Sequence, residues 1–402
     1  MLRFEEAQAR LLGLVKPLGA ERAHLDAALG RVLAEDVLAP ADQPAADHSA
    51  MDGYALRSAE LGGEPPFRLP VRGESQAGKR PPPLAPGAAM RIFTGAELPE
   101  GADAVVPQED TSREGDEVVV RVKAPRHAFV RRRGDDLRAG GLALAAGTRL
   151  RPSHLGLAAS ADRAWLWVAR RPRVAIVCTG DELRAPGSPA REASLPESNG
   201  VALRAMARRA GAEAEVLPYV GDDPGATRRA IDEALRGADV VVTVGGVSVG
   251  DRDFVKPALE AAGVALDFWR VAIKPGKPLA VGTRRDALVV GLPGNPGSAM
   301  VTAALFLLPA LRALQGERVC FPPALLARLA APFRHAPGRT EFARARLYDE
   351  GGERVVEALS NQASGAVTSM AEADALLRVE AEAASLEAGA RVPVYPASEL
   401  GF

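Results

Sequence analysis

The sequence predicts a multidomain α/β plus β protein centred on a doubly wound, mostly parallel α/β domain. Three observations lead there. Apolar, β-branched runs at Arg173–Cys178, Val216–Val220, Asp239–Val244 and Leu288–Leu292 alternate with helix-period segments at roughly Gly200–Ala210, Pro224–Leu235, Phe254–Ala262 and Gly297–Leu314. Polar loops recur at the strand ends of that stretch, where such sheets bind ligands. The flanking segments 56–136 and 322–402 instead carry short apolar runs broken by Pro and Gly, the pattern of β-rich domains. A chain of 402 residues has room for several domains.

Residues 1–36 read as scaffold. Phe4, Ala7, Leu11, Leu12, Leu14 and Val15 follow a 3.6-residue period, a second helix spans roughly His24–Leu29 and stops at Gly30, and Arg31–Leu38 reads as a strand. In HSAMDGYA (His48–Ala55), Asp52-Gly53 signals a tight turn; the same loop could present Asp52 on a rigid support. Ala89–Phe93, Ala104–Val106 and Val118–Val122 predict strands, with Thr94 and Gly95 ending the first. The mixed-sign run Arg131–Asp136 suits a solvated turn, and Pro152–Leu157 starts a helix. Beyond 322, runs at Ala324–Ala331, Thr340–Leu347, Arg354–Leu359, Ala375–Glu382 and Ala390–Tyr395 predict a small barrel or sandwich, with Gly351-Gly352 as a hairpin turn.

A net charge of −1 gives no reason to expect a nucleic-acid or membrane surface. Cys178 and Cys320 are too few and too far apart for a disulfide framework or zinc spacing, which fits a reducing cytoplasm. The N-terminus lacks the apolar core of a signal peptide, and the most apolar stretch, Ala299–Leu311, is too short to span a bilayer. Arginine dominates the basic residues. Only six lysines and three asparagines occur, and Lys256, Lys274 and Lys277 fall in one region.

The stretch Ala238–Pro257 carries the sharpest chemistry. A buried-strand run ends in Gly245 and Gly246, then Ser248 and Gly250, then Asp251 and Asp253 before a helical segment. A strand, a glycine loop and a helix start leave backbone N–H groups free for a phosphate-bearing ligand. Aspartates beside such a ligand suggest a divalent cation between them; equally, they can complement a helix dipole and the glycines can form a plain turn. TGDEL (Thr179–Leu183), ESNG (Glu197–Gly200), IKPGKP (Ile273–Pro278) and LPGNP (Leu292–Pro296) join the same end of the sheet, with Asp222 and Asp223 after another strand. Prolines hold Lys274 and Lys277 near one place, which suits a compact oxyanion.

SAMDGYA, IFTGAELPEGADAVV, TGDEL, GGVSVGDRD, IKPGKP, LPGNP and the NQASG loop occur in this order across the chain. Together they resemble the molybdenum insertase, or molybdopterin molybdenumtransferase (MoeA), family, which includes the C-terminal part of gephyrin. His48 stands where an asparagine is frequent, and Asp251 where a glutamate is also seen. The resemblance implies an elongated two-part scaffold (1–45 and 137–171), an inserted β-rich domain (46–136), an α/β molybdopterin-binding domain (172–321) and a C-terminal β-barrel (322–402). It implies a homodimer whose cleft joins the α/β domain of one subunit to the inserted domain of the other. The implied reaction takes adenylylated molybdopterin and molybdate, hydrolyses the phosphoanhydride with release of AMP, and inserts molybdenum into the dithiolene, with Mg2+ assisting. The upstream molybdopterin adenylyltransferase is an implied candidate partner.

By motif position, the resemblance assigns Asp52, Asp136, Glu182, Asp222 and Asp253 as the acidic set, with Asp253 and Asp222 toward the metal. It assigns Thr94, Thr179, Gly180, Ser198, Asn199, Gly245, Gly246, Ser248, Gly250, Pro293, Gly294, Asn295 and Pro296 to the molybdopterin nucleotide. Arg344 and Ser364 join Lys274 and Lys277 around molybdate. Three alternatives are a molybdopterin adenylyltransferase, a non-catalytic scaffold and a nicotinamide-nucleotide amidase. The first shares only the α/β domain, the second would tolerate loss of these acids and lysines, and the third lacks support outside one region.

Overall fold

The computed structural model describes residues 1–246 and 254–402. The chain divides into two compact units, one of Met1–Ala34, Gly147–Leu150 and Leu166–Phe402, the other of Glu35–Ala146 and Arg151–Trp165.

The α/β part of the first unit contains β1 (Arg173–Cys178), α1 (Asn199–Arg209), β2 (Glu213–Val216), α2 (Pro224–Gly237), β3 (Val240–Val244), α3 (Val255–Ala261), β4 (Ala265–Arg270), β5 (Pro278–Arg284), β6 (Ala287–Leu292) and α4 (Pro296–Leu314). The sheet order is β2-β1-β3-β6-β5-β4. β2, β1, β3 and β6 are parallel, and β5 runs antiparallel between β6 and β4. Strand alternation makes two cores from one sheet. Ile176, Val242 and Val290 face α1 and α4, while Val177, Val241 and Val289 face α2 and α3.

The parallel centre and its helices agree with the sequence reading. β4 and β5 do not appear in it, because ALDFWR and PLAVGTR mix charge, Pro and Gly with apolar residues. The run expected at Val216–Val220 instead forms β2 at Glu213–Val216. Pro218 has no N–H to continue the ladder, and only Val220 returns to bridge Thr179. The expected strand Arg31–Leu38 is split where the chain leaves one unit for the other. Val32 and Leu33 make bridges in the first, and Val37–Leu38 is a strand of the second.

α4 is 19 residues long and apolar enough to cross a membrane, longer than the Ala299–Leu311 run suggested, but 83% of its most apolar 18-residue stretch is buried inside the protein. Its Phe306 meets Phe4 of the N-terminal helix Phe4–Gly13 at 5.8 Å between ring centroids, and Phe4 meets Phe342 at 5.0 Å. Phe342 belongs to Thr340–Glu350, one of five strands that close a barrel with Glu353–Ala358, Leu325–Leu329, Arg391–Pro396 and Ala375–Val379. The hairpin at Gly351-Gly352 has positive φ at both residues, as a two-residue turn of this kind requires.

The second unit carries a six-stranded sheet, ordered Ala104–Pro107, Gly53–Leu56, Ala89–Ile92, Phe67–Ser75, Glu117–Val120, Thr111–Glu114. Asp52-Gly53 is not the hairpin turn its dipeptide signals. Gly53 opens a strand, and a Cβ there would lie 1.9 Å from the Val106 carbonyl oxygen. The glycine is needed for close approach of two backbones rather than for a turn.

Gly53→Ala should therefore destabilise the second unit by about 3 kcal/mol, since neither backbone can yield without breaking the ladder. A denaturant titration of the full chain would read this as an earlier transition in that unit; an unchanged curve would contradict the close-approach assignment.

Candidate active site

β1, β3 and β6 end level with one another, Cys178 opposite Val244 and Val244 opposite Leu292. Their following loops therefore leave the sheet side by side. Thr179 N donates to Val244 O at 3.0 Å and Gly245 N to Leu292 O at 3.2 Å, so the loops start as extensions of the ladder. Gly245 then takes φ +89°, and a Cβ on it would sit 2.9 Å from the Thr179 carbonyl oxygen. Any side chain here would force the loops apart.

The result is a cavity of about 540 Å³ at the carboxyl ends of the strands. Its walls come from Thr179, Gly180 and Glu182; from Ser198 and Asn199; from Asp222; from Gly245 and Gly246; and from Pro293, Gly294, Asn295 and Pro296. By motif position, the resemblance assigned every one of these residues to the substrate site, and the structure brings them to one cavity. Asn199 braces the wall by donating from Nδ2 to Gly294 O at 2.7 Å, and its Oδ1 has no partner among the described residues. A larger groove of about 750 Å³, lined by Arg171, Arg173 and Glu213 among others, flanks the amino ends of β1 and β2, away from these loops.

The acids differ in their work. Glu182 folds back over Gly180, its carboxylate within 2.6 Å of where a Gly180 Cβ would be. Asp222 lines the cavity, and its N–H donates to Asp181 Oδ1 at 2.9 Å. Asp223 is structural: it caps α2 by accepting from Ala226 N. Glu197, 2% exposed, accepts from Gly200 N at 2.7 Å and so ties the ESNG loop to the first turn of α1. Beside it, burial pushes the Cys178 thiol far above its ordinary pKa, and the Glu197 carboxylate pushes in the same direction.

A second cluster adjoins this cavity through Asn295 and Pro278. Asn295 Nδ2 donates to Ser364 Oγ at 2.9 Å, and Gly297 N donates to Ser364 O at 2.8 Å, joining the NQASG loop to the start of α4. Arg344, 1% exposed, reaches the same point. Its Nη2 donates to Asn361 O and Ala363 O, while Nε and Nη1 have no partner among the described residues. Nη1 lies 2.7 Å from where a Cβ on Gly297 would be, so the glycine makes room for the guanidinium. Burial holds Arg344 below the usual arginine pKa, with Glu341 acting the other way. Ile273–Lys274 adds a short parallel strand to Thr340–Glu341 of the barrel, and Gly276 (φ +101°) presses on Thr302 of α4. Lys274, Lys277, Arg344 and Ser364 thus lie on segments tied to one end of α4.

Other expected site residues fall elsewhere. Asp52, Thr94 and Asp136 belong to the second unit. Asp52 Oδ1 accepts from both the N–H and the hydroxyl of Thr94, each at 2.7 Å. These two donors hold the Asp52 carboxyl below the ordinary aspartate range, with Arg91 adding to the effect. Asp136 sits in an exposed loop fastened by Asp42, which accepts from Arg133 Nε at 2.6 Å and Ala139 N at 2.8 Å. The ladder His48–Ser49 with Val130–Arg131 is antiparallel, so the loops bearing Asp52 and Asp136 leave it from opposite ends. Ser248, Gly250 and Asp253 lie outside the described residues, as does Asp251. Among the described residues no three His, Cys, Asp or Glu side chains converge to hold a metal; Asp222 and Glu182 are two acids on one cavity wall.

Family models for the MoeA N-terminal region (domain I and II), a probable molybdopterin binding domain and the MoeA C-terminal region (domain IV) match residues 2–161, 175–313 and 326–397. The molybdopterin molybdenumtransferase of Haemophilus influenzae is 35% identical over 100% of both chains. The chain belongs to the molybdopterin molybdenumtransferase (MoeA) family. Molybdopterin molybdenumtransferase 2 of Mycobacterium tuberculosis is 37% identical, covering 92% of this chain and 93% of that one. A crystal structure of the molybdopterin biosynthesis MoeA protein from Pyrococcus horikoshii OT3 aligns with TM-score 0.85 at 27% identity, covering 98% and 99% of the two chains.

Within this family member, sequence reasoning passed over Glu197 and Glu341. Glu197 stood in a motif already quoted, but nothing local says that it is buried. Glu341 carried no signal, because its contacts come from residues 6 and 67 positions away.

Two measurements check the electrostatics. Cys178 should resist thiol reagents at pH 8 in the folded protein and react once urea unfolds it; rapid labelling of the native protein would contradict its burial. Thr94→Val removes one donor to Asp52, so the Asp52 carboxyl should titrate at higher pH than in the wild type, read by NMR. Since the native pKa is depressed, the stability this contact contributes is present above the unfolded aspartate pKa and lost as pH falls through the native value.

Proposed function

We propose that this chain is a molybdenum insertase, placing molybdenum from molybdate into adenylylated molybdopterin with hydrolytic release of AMP. Its relatives are named for the molybdenum transfer step, and the two adjoining clusters supply what such a step needs. The observation that carries the reading is Arg344: a buried guanidinium with two nitrogens that have no partner among the described residues, walled by Ser364 and the start of α4. Glu341 acts on Arg344 electrostatically but makes no hydrogen bond to it, and a tetrahedral oxyanion would satisfy both of these nitrogens.

In this reading the glycine-lined cavity takes the nucleotide-bearing part of the substrate. Backbone approach at Gly245, Gly246 and Gly294 lets phosphate oxygens come close to N–H groups, and Asn199 Oδ1, without a partner among the described residues, would accept from a ring N–H donor. Lys274, Lys277, Arg344 and Ser364 hold molybdate next to it, so the dithiolene and the metal oxyanion meet across Asn295 and Pro296. Phosphoanhydride cleavage then rests on positioning and electrostatics rather than on a covalent intermediate. Asp222 or Glu182, at the cavity wall, would orient the attacking water. Magnesium, which would neutralise phosphate charge there, is part of the proposal; Asp222 would contribute to holding it. Homodimerisation, a cytoplasmic site of action and exchange with the upstream adenylyltransferase belong to the same reading. Asp52, Thr94 and Asp136 would then serve a partner subunit's cleft.

Incubation of the purified chain with adenylylated molybdopterin, molybdate and magnesium should release AMP and yield active molybdenum cofactor, assayed by reconstitution of an apo-molybdoenzyme. No AMP release from folded protein would sink the insertase reading. Arg344→Met, which keeps the buried volume, should lower molybdate-dependent AMP release by about 100-fold. Wild-type molybdate dependence in that variant would remove Arg344 from the pocket.

A further inference from the structure

Behind Lys274 lies a buried acid that the oxyanion pocket does not require. Glu341 Oε1 meets Lys274 Nζ at 2.9 Å, and the Glu341 side chain is 3% exposed against 44% for Lys274. Its Oε2 meets His335 Nδ1 at 2.8 Å, with the His335 side chain 1% exposed. His335 Nε2 has no partner among the described residues, which fits the tautomer with its proton on Nδ1, donating to Glu341. Both carboxylate oxygens are therefore engaged, and the acid is held on the barrel side, away from solvent.

A carboxylate beside an anion site opposes anion binding, so its presence there has to be explained. Backbone pairing of Ile273–Lys274 with Thr340–Glu341 already fixes where Lys274 leaves the chain, and Thr340 N donates to Ala272 O at 2.9 Å. Anchoring is thus supplied without the acid. What the acid adds is charge. It lies against Lys274 and acts electrostatically on Arg344, three residues along the same strand. Lys274 and Arg344 are the cations that Glu341 acts on, and Lys277 follows three residues along the same segment as Lys274; in the pocket proposed above, Glu341 offsets one of three positive charges and leaves two, matching a doubly charged oxyanion such as molybdate.

We infer that Glu341 is the specificity-determining counter-charge of the oxyanion pocket: it limits how tightly the lysine pair and Arg344 bind an anion and matches them to a dianion. This rests on the pocket assignment proposed above. Lys274 shares its ammonium between Glu341 and the oxyanion, so the anion competes with an internal carboxylate. Affinity stays low enough for molybdate to leave the protein for the dithiolene. Monoanions gain too little to displace that contact.

Calorimetric titration of the full-length protein with molybdate at fixed ionic strength tests this. Glu341→Gln keeps the shape and one accepting oxygen toward Lys274, with its amide N–H donating to His335 Nδ1 in the other tautomer, but removes the charge, and should tighten molybdate binding about tenfold. Lys274→Gln should weaken it about tenfold, and Lys274→Gln with Glu341→Gln, a neutral amide pair, should recover most of that loss. Weaker binding in Glu341→Gln, or no recovery in the double variant, would overturn the inference and leave Glu341 as an anchor for Lys274. The double variant removes both charges together, so it also decides the matter if the single Glu341 change fails to fold. If wild-type protein binds no molybdate, the pocket assignment itself fails, an outcome distinct from wild-type binding that Glu341 does not affect.

Discussion

Burial of α4 is the constraint on which the rest of the first unit depends. Ala299, Val301, Leu305, Phe306, Leu307 and Leu311 are fully buried, each large apolar side chain contributing about 2 kcal/mol by leaving water. One side of this helix covers the sheet, while Phe306 meets Phe4 and, through it, Phe342 of the barrel. A helix held on several sides cannot shift without breaking several packings at once. Its first turn is therefore a rigid platform, and that turn is where the LPGNP loop, Ser364 and Arg344 meet.

Close backbone approach is the second theme. Gly245 lets its backbone lie against Thr179 of the TGDEL loop, Gly276 lets the lysine loop lie on Thr302, and Gly297 leaves room for the Arg344 guanidinium. Each of these glycines removes a side chain between two elements that carry chemistry. Polar groups then sit closer together than ordinary packing allows, and some keep hydrogen-bonding capacity unspent among the described residues, as Asn199 and Arg344 do. Unspent capacity in a buried wall is costly to stability and useful for binding.

Much of the site was legible from spacing because parallel sheets send all their functional loops to one end. Once β1, β3 and β6 were recognised by their valine-rich runs, TGDEL, the paired glycines and LPGNP had to be neighbours. The antiparallel addition of β4 and β5 was not legible, since ALDFWR and PLAVGTR mix charge, Pro and Gly with their apolar residues. Gly53 was misread for a related reason. Asp-Gly is a turn dipeptide by local preference, whereas the atom that demands the glycine belongs to Val106, far away in the chain.

By itself, the sequence determined the alternation of strands and helices, the buried or exposed character of each run, and the order of the polar loops along the chain. These follow from periodicity and backbone preference, which act within a few residues. Only the tertiary structure decided which charges face which. That Glu341 lies against Lys274, that two Arg344 nitrogens find no partner among the described residues, and that Glu197 is sealed beside Cys178 depend on contacts that no local run of residues specifies. Electrostatic energy depends on distance and on burial, and neither quantity is carried by a residue's neighbours in sequence.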